Sequence, residues 1–202
     1  LRDIFGEALL DAAKSDLRIV VLDGDLGNSN GAAFVRNTLP DRFFNLGIAE
    51  ANLVGVGAGM AAAGLIPFIV SFPSFLLCNA FDQIRLQIAM ASLNVKLVGS
   101  HSGLTPGREG APPMSIEDYA LAGGMPTMII LVPSDPATMK KTVQAAAKCV
   151  GPVYIRSSRE ALPHIYAEDD CPFQIGKAIR VREGQDVTLI ACGLMVSVAL
   201  DA

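Results

Sequence analysis

The chain has no tryptophan, only two histidines, four cysteines, and charged side chains at only 18% of its 202 positions. Each shortage excludes something. Cys78, Cys149, Cys171 and Cys192 are far apart and form no Cys-x-x-Cys pair, so neither a zinc site nor a dithiol redox motif is expected. Three of them sit in apolar stretches and read as small core residues. Unpaired thiols of this kind suit a reducing, cytoplasmic setting. The 16 Lys and Arg residues are outnumbered by 20 Asp and Glu, giving a net charge of -4 with no basic run. A nucleic-acid partner is therefore not expected, because phosphate neutralisation needs clustered cations. No apolar run reaches membrane-spanning length, and the N-terminus lacks the pattern of a signal peptide.

What the chain has in abundance is apolar residues, at 51% of positions. That proportion suits a sheet buried on both faces, or a large subunit interface. Residues 3–14 place Ile4, Ala8, Leu9 and Ala12 on one helical face. Continuous apolar or strand-like runs at 18–22, 42–46, 67–72, 95–99, 128–132 and 153–156 alternate with helical patterns at 50–63, 75–91 and 136–149. A shorter helix is expected to begin near Ser115. Ser134 and Asp135 are capping candidates before the helix that starts at Pro136. This rhythm predicts an α/β fold, a doubly wound, mostly parallel sheet with helices on both faces. In such sheets ligands bind where loops leave the carboxyl ends of strands. The segments 24–30, 46–50, 72–75, 101–113 and 156–160 are therefore the ones to search.

Three regions are expected. Residues 1–160 form the α/β domain. Residues 161–185, with two prolines and the acidic cluster Glu168, Asp169 and Asp170, read as a linker or arm. Residues 186–202 read as a strand followed by the start of a helix, the truncated beginning of a further α/β domain. No Gly-x-Gly-x-x-Gly fingerprint follows the first strand, which argues against a plain dinucleotide-binding domain.

Glu50 follows the strand-like FFNLGIA and opens a Gly/Ala-rich helix. It has almost no charged neighbours in sequence. On spacing alone it reads as a surface Glu in a first helical turn, favoured by the helix dipole; in an apolar pocket its proton affinity would rise, because burial disfavours the charged form. Phe72 and Phe75, in SFPSF, read as core residues or as flat walls for a flat ring. Asp23 and Asp25 lie in a Gly-rich turn where such residues are common.

The wider string RFFNLGIAEANLVGVGAGMAAAGLIPFIVSFPSF, with LDGDLGNSN, FDQIRLQIA, VKLVGSHSGLT, VPSDPATMKKTV and GPVYIRSSRE in order around it, resembles the pyrimidine-binding domain of transketolases and related thiamine-diphosphate enzymes. The resemblance spans essentially the whole chain. It implies that Glu50 hydrogen-bonds N1′ of the cofactor's aminopyrimidine, so that the ring's N4′ can take the proton from thiazolium C2. Phe72 and Phe75 would line the pyrimidine pocket, and Asp25 would lie near the cofactor and a subunit interface. Arg2, Ser29, His101 and Arg159 match positions that hold the sugar phosphate, a task that suits forked Arg donors and single hydrogen bonds from His and Ser. Magnesium and the cofactor's diphosphate would be held by a separate diphosphate-binding domain or subunit, in a homo-dimer or heterotetramer, because this chain carries no such motif and no metal site of its own. The expected activity is transfer of a two-carbon ketol unit between sugar phosphates, as in the pentose phosphate reactions. The fragment alone would be inactive. Alternatives within the resemblance are a deoxyxylulose-phosphate synthase, a 2-oxoacid dehydrogenase β subunit, or a non-catalytic assembly subunit.

Two departures stand out. Arg108 and Glu109 stand where transketolases usually have Glu-Asp, and Pro113-Met114 stands where they have His-Gln. Asn79 stands in place of the Arg of GRAFDQ. Proline has no donor to offer, so both changes point to a shifted sugar preference rather than to a lost cofactor site.

Overall fold

The computed structural model describes residues 1–167 and 170–202. Glu168 and Asp169 of the acidic cluster lie outside the described residues. The sheet has six strands, β1 (Ile19–Asp23), β2 (Phe43–Asn45), β3 (Ile66–Ser71), β4 (Lys96–Gly99), β5 (Ile129–Leu131) and β6 (Val153–Arg156). They are ordered β2-β1-β3-β4-β6-β5, and every pairing is parallel.

Both faces of this sheet are covered, which is why the strands read as unbroken apolar runs. Period-two alternation deals successive residues to opposite cores. Val21, Phe68, Val70 and Ile155 join one core with Phe5, Leu9, Met139 and Val143. Val20, Leu22, Ile69, Leu97 and Tyr154 join the other with Leu53, Leu76, Ile84 and Ile88. The first core is closed by α1 (Arg2–Ser15), with the short helices α2 (Gly27–Asn30) and α3 (Ala33–Thr38) at its end. The second is closed by α4 (Glu50–Ala62) and a helical stretch after β3. That stretch, expected as one helix over 75–91, is broken into a π-turn Ser74–Cys78, α5 (Phe81–Gln83) and a second π-turn Ile84–Ala89. Wide turns of this kind re-aim side chains within a helical path. The remaining helices are α6 (Asp118–Gly123), α7 (Pro136–Lys148) and α8 (Met195–Asp201). The start expected near Ser115 falls a few residues later, at Asp118.

The cap before α7 is the one the sequence indicated. Thr138 N–H donates to Asp135 Oδ1 at 2.8 Å, and Asp135 N–H donates to Thr138 Oγ1 at 2.9 Å. Asp135 also accepts the backbone N–H groups of Ile165 and Tyr166, each at 3.0 Å. One buried carboxylate thus starts a helix and ties down the arm beyond β6, whose Phe173 and Ile175 pack on the first core.

Two expectations fail. Residues 186–192 form no strand; they are exposed and join no ladder of the sheet, and a strand is stable only beside a partner strand. Helix α8 follows them but has no buried residue. Of the cysteines, only Cys171 is buried, while Cys78 and Cys192 are exposed. Their thiols are taken up by polar partners, Glu117 and Tyr119, rather than by the core. Among the described residues no helix is long and apolar enough to cross a membrane.

Lys96, at the head of β4, is fully buried. Its ammonium donates to Asn94 Oδ1 and to the carbonyls of Cys149 and Gly151, each at 2.7 Å. Burial brings its pKa down to about 8. A buried ammonium is tolerated where every proton finds an acceptor, and these bonds pin the turn that delivers β6 alongside β4. Lys96→Met leaves the two carbonyls unmatched. It should lower stability by about 2–4 kcal/mol in urea unfolding, with the unfolding cooperativity unchanged.

Candidate functional site

The chain runs from β1 out to β2, then returns past β1 to build β3, so loops diverge at the carboxyl ends of β1 and β3. Parallel α/β sheets open a crevice at such a point. A cleft of about 490 Å³ lies along this edge. It is lined by Arg2 and its neighbours at the start of α1, Ser29 and Asn30 of α2, Ser100 and His101 after β4, and Ser157, Ser158 and Arg159 after β6. The four residues expected to hold a phosphate, Arg2, Ser29, His101 and Arg159, therefore line one cavity, although 157 positions separate the first from the last (159 − 2).

Local backbone explains how they meet. Gly31 has φ of 90°, and a Cβ there would stand 2.4 Å from Arg2 O; a Cβ on Gly6 would stand 2.5 Å from Gly31 O. Only glycine permits both the left-handed turn and this approach, which brings the start of α1 against α2. On the other side, Ser102 N–H and Ser102 Oγ both donate to Ser157 O, at 3.0 and 2.9 Å. The loops after β4 and β6 are thereby joined.

His101 is buried and has φ of 65°. A non-glycine residue in the left-handed region stores strain that the surroundings must hold. Its Nδ1 lies 3.1 Å from Ser100 Oγ, and its ring lies 4.4 Å from that of Phe72. Burial pulls its pKa below the ordinary value; Glu109 opposes this, and Arg159 and Arg2 add to it. Both arginines carry carboxylate partners. Arg159 meets Glu109 at 2.7 Å and Arg2 meets Asp3 at 2.8 Å. Arg159 is further fixed by donating to Pro106 O at 2.9 Å.

Glu50, the first residue of α4, is only 6% exposed. Among the described residues its carboxylate has no hydrogen-bond or ion-pair partner. Buried charges are normally paired, which sets Glu50 apart from buried Asp118 and Asp135, whose carboxylates accept hydrogen bonds. Helix α4 packs against the π-turn that carries Phe75. Phe75 lies 5.8 Å from Phe72, with the rings tilted by 31°. Phe72 thus stands between Phe75 and His101. Neither phenylalanine nor Glu50 lines the 490 Å³ cleft.

Asp25 lies in a second, polar cleft of about 160 Å³ with Asp23, Asn28, Ser29, Arg36 and Asn45. It is exposed, has φ of 67°, and accepts Asn45 Nδ2–H at 2.9 Å. Asp23 is buried, and burial raises its pKa against hydrogen bonds from Asn30, Leu26 and Gly27. Its carboxylate accepts the backbone N–H groups of Leu26 and Gly27, where α2 begins, at 3.2 and 3.0 Å. No group of three or more His, Cys, Asp or Glu that could hold a metal occurs among the described residues.

Sequence reasoning marked the segments that hold Asn30, Ser157 and Ser158 without naming these residues, and it passed over Ser100. The signal was present: two polar runs, Ser100-His101-Ser102 and Ser157-Ser158-Arg159, each begin within two residues of the end of a buried strand. It also passed over Asn45, which holds Asp25.

The family model "Transketolase, pyrimidine binding domain" matches residues 1–164. A 6-deoxy-6-sulfo-D-fructose transketolase subunit from Clostridium sp. (strain MSTE9) is 42% identical over 99% of this chain and 62% of its own length. A putative transketolase C-terminal section from Methanocaldococcus jannaschii is 39% identical over 100% of this chain and 64% of its length. A solved structure described as a split gene transketolase, inactive beta4 tetramer, is 40% identical, with a TM-score of 0.88 over 99% of this chain and 64% of that one. This chain thus spans less than two thirds of each of these relatives.

The burial of His101 sets a sign for its titration. A histidine whose folded pKa lies below its unfolded value of about 6.5 is neutral in the folded protein at pH 7. Its contribution to stability is complete above that value and falls as the pH drops below it, because the unfolded chain takes the proton first. Ring NMR signals of His101, assigned with a His164→Gln variant, should titrate with a midpoint below the ordinary histidine value of about 6.5.

Proposed function

This chain belongs to the transketolase family through its pyrimidine-binding domain, and from that premise we propose that it supplies the pyrimidine half of a thiamine-diphosphate site for two-carbon ketol transfer between sugar phosphates. The observation that carries this reading is the buried, unpartnered carboxylate of Glu50 at the start of α4.

The residues present suit the group. Glu50 would hold the aminopyrimidine by its ring nitrogen, sharing one proton with it. Phe72 and Phe75 offer tilted aromatic faces close by, and aromatic faces take a flat heterocycle without requiring a hydrogen bond. When bound, thiamine diphosphate supplies the electron sink that carbon–carbon cleavage needs. The diphosphate and Mg²⁺ are assigned to a partner domain or subunit, in a dimer or a heterotetramer, a reading supported by the match to a pyrimidine-binding domain and by relatives that are separate transketolase sections or subunits. The cleft lined by Arg2, Ser29, His101 and Arg159 would bind the anionic end of the sugar, with Arg forks as the main donors.

The work of this chain is then to place protons and orient the substrate. A neutral His101 at pH 7 donates a hydrogen bond without adding charge. Glu109 and Asp3 hold the two arginines until an anion replaces them. Relatives named for a sulfofructose and for apulose 4-phosphate support an open choice of sugar. Pro113 and Asn79 fit a preference shifted from that of ordinary transketolases. The inactive tetramer of the similar split-gene chain supports the reading that this chain needs its partner to turn over. The setting that suits such sugar chemistry is the cytoplasm.

Thiamine diphosphate with Mg²⁺, titrated calorimetrically, should bind the chain mixed with its diphosphate-domain partner and not the chain alone. In the active mixture Glu50→Gln should lower kcat by about 10²–10⁴-fold, the range of a lost general acid–base step. An unchanged rate would instead favour an assembly role. Pro113→His should change the sugar preference and leave cofactor affinity as it was; a loss of cofactor binding would count against the assignment of that loop to substrate.

A further inference from the structure

Three consecutive side chains at the start of α6 grip three separate parts of the molecule. Glu117 accepts the thiol of Cys78, in the π-turn after β3, at 3.0 Å. Tyr119 O lies 3.0 Å from Cys192 Sγ. Between them, Asp118 is fully buried and accepts Tyr154 O–H at 2.8 Å, Arg156 Nε–H at 2.6 Å and Arg156 Nη2–H at 3.3 Å. Arg156 also lies over the Tyr119 ring at 4.3 Å. Neither Asp118 nor Arg156 lines the cleft.

Their position relative to the cleft is what matters. Arg156 is the last residue of β6, and the chain continues directly into Ser157, Ser158 and Arg159. Asp118 ends the long loop that begins at His101. That loop is closed on itself by the antiparallel pair Gly103 and Ser115. A Cβ on Gly103 would sit 3.4 Å from Arg156 Nη2. The guanidinium is therefore seated between the outgoing and returning arms of the loop, with Asp118 fixing its direction through a two-toothed contact. An ion pair in this place is a poor source of stability, because desolvating two charges offsets much of their attraction. It is a good source of direction, because the planar fork of Arg meets a carboxylate in one geometry.

We propose that Asp118 and Arg156 are positioning residues for anion binding in the cleft: they hold the His101 loop against the end of β6, so that His101 and Arg159 face the same ligand. This rests on the reading of the cleft as the site for the substrate's anionic end.

The test is a titration of the intact protein with inorganic phosphate, followed by the ring NMR signals of His101, at a temperature where every variant is folded. The wild type should bind, and Arg159→Ala should lose binding. Asp118→Asn keeps the shape and removes the charge; Arg156→Lys keeps the charge and removes the fork. Each should weaken phosphate binding about tenfold or more, the scale of a small misplacement of binding groups. Tyr154→Phe, which leaves the ion pair intact, and Val143→Ala, a core truncation on the other face of the sheet, should lower thermal stability and leave phosphate affinity as in the wild type. If Asp118→Asn does not fold, Arg156→Lys carries the comparison. Wild-type affinity in the ion-pair variants, with binding lost in Arg159→Ala, overturns the positioning role and leaves the cleft assignment standing. Failure of the wild type to bind phosphate overturns both.

Discussion

A parallel sheet covered on both faces can present its irregular backbone only at its edges and ends, and that constraint organises this chain. Helices occupy the two faces, so each loop must turn at the end of a strand. Asp25 and Ser29 follow β1, Glu50 follows β2, Phe72 and Phe75 follow β3, His101 follows β4, and Arg159 follows β6. Arg2 is the exception, brought to the same end by the contact between α1 and α2. Two glycines make that contact, because any side chain at either position would collide with backbone. The site is thus assembled by topology and by one close backbone approach, not by residues near in sequence.

Charge is handled in two distinct ways at this end of the sheet. The cations that face the cleft, Arg2 and Arg159, keep solvent and carry exposed carboxylate partners. Pairs of that kind hold weakly and exchange easily. Asp118 and Arg156, behind the cleft, are sunk in the structure, the first bonded by Tyr154 and the second lying over Tyr119. Breaking such a pair leaves a stranded charge, so it behaves as a fixture. The same residue types therefore serve exchange in front and rigidity behind, and depth of burial decides which. Lys96 extends the second pattern to the opposite end of β4, where three acceptors replace a carboxylate.

Much of this was legible in the residues themselves. The buried strands announced themselves as short apolar runs, and Asp135 with Pro136 announced α7. The set Arg2, Ser29, His101 and Arg159 could be assembled from the resemblance, and the fold gathers these residues along one cleft. What sequence could not reveal was anything that depends on distant pairing. Asp118 looks like an ordinary first-turn acid until Arg156 and Tyr154 are seen beside it. Lys96 looks like a surface residue until its acceptors, more than 50 positions away in the case of Cys149 and Gly151, close around it. Residues 186–192 have the composition of a strand, but strand formation is a property of two segments, and none of the six described strands lies beside this one. Helix α3 was missed because the polar turn before it masks its start, and the π-turns after β3 leave no mark on hydrophobic periodicity.

Ser29 lines both clefts. The short helix it belongs to is a common wall, held from behind by Asp23 and Asn30 and from the side by the start of α1. A change at this one position therefore alters the lining of both cavities at once, so neither cleft can be reshaped at Ser29 without touching the other.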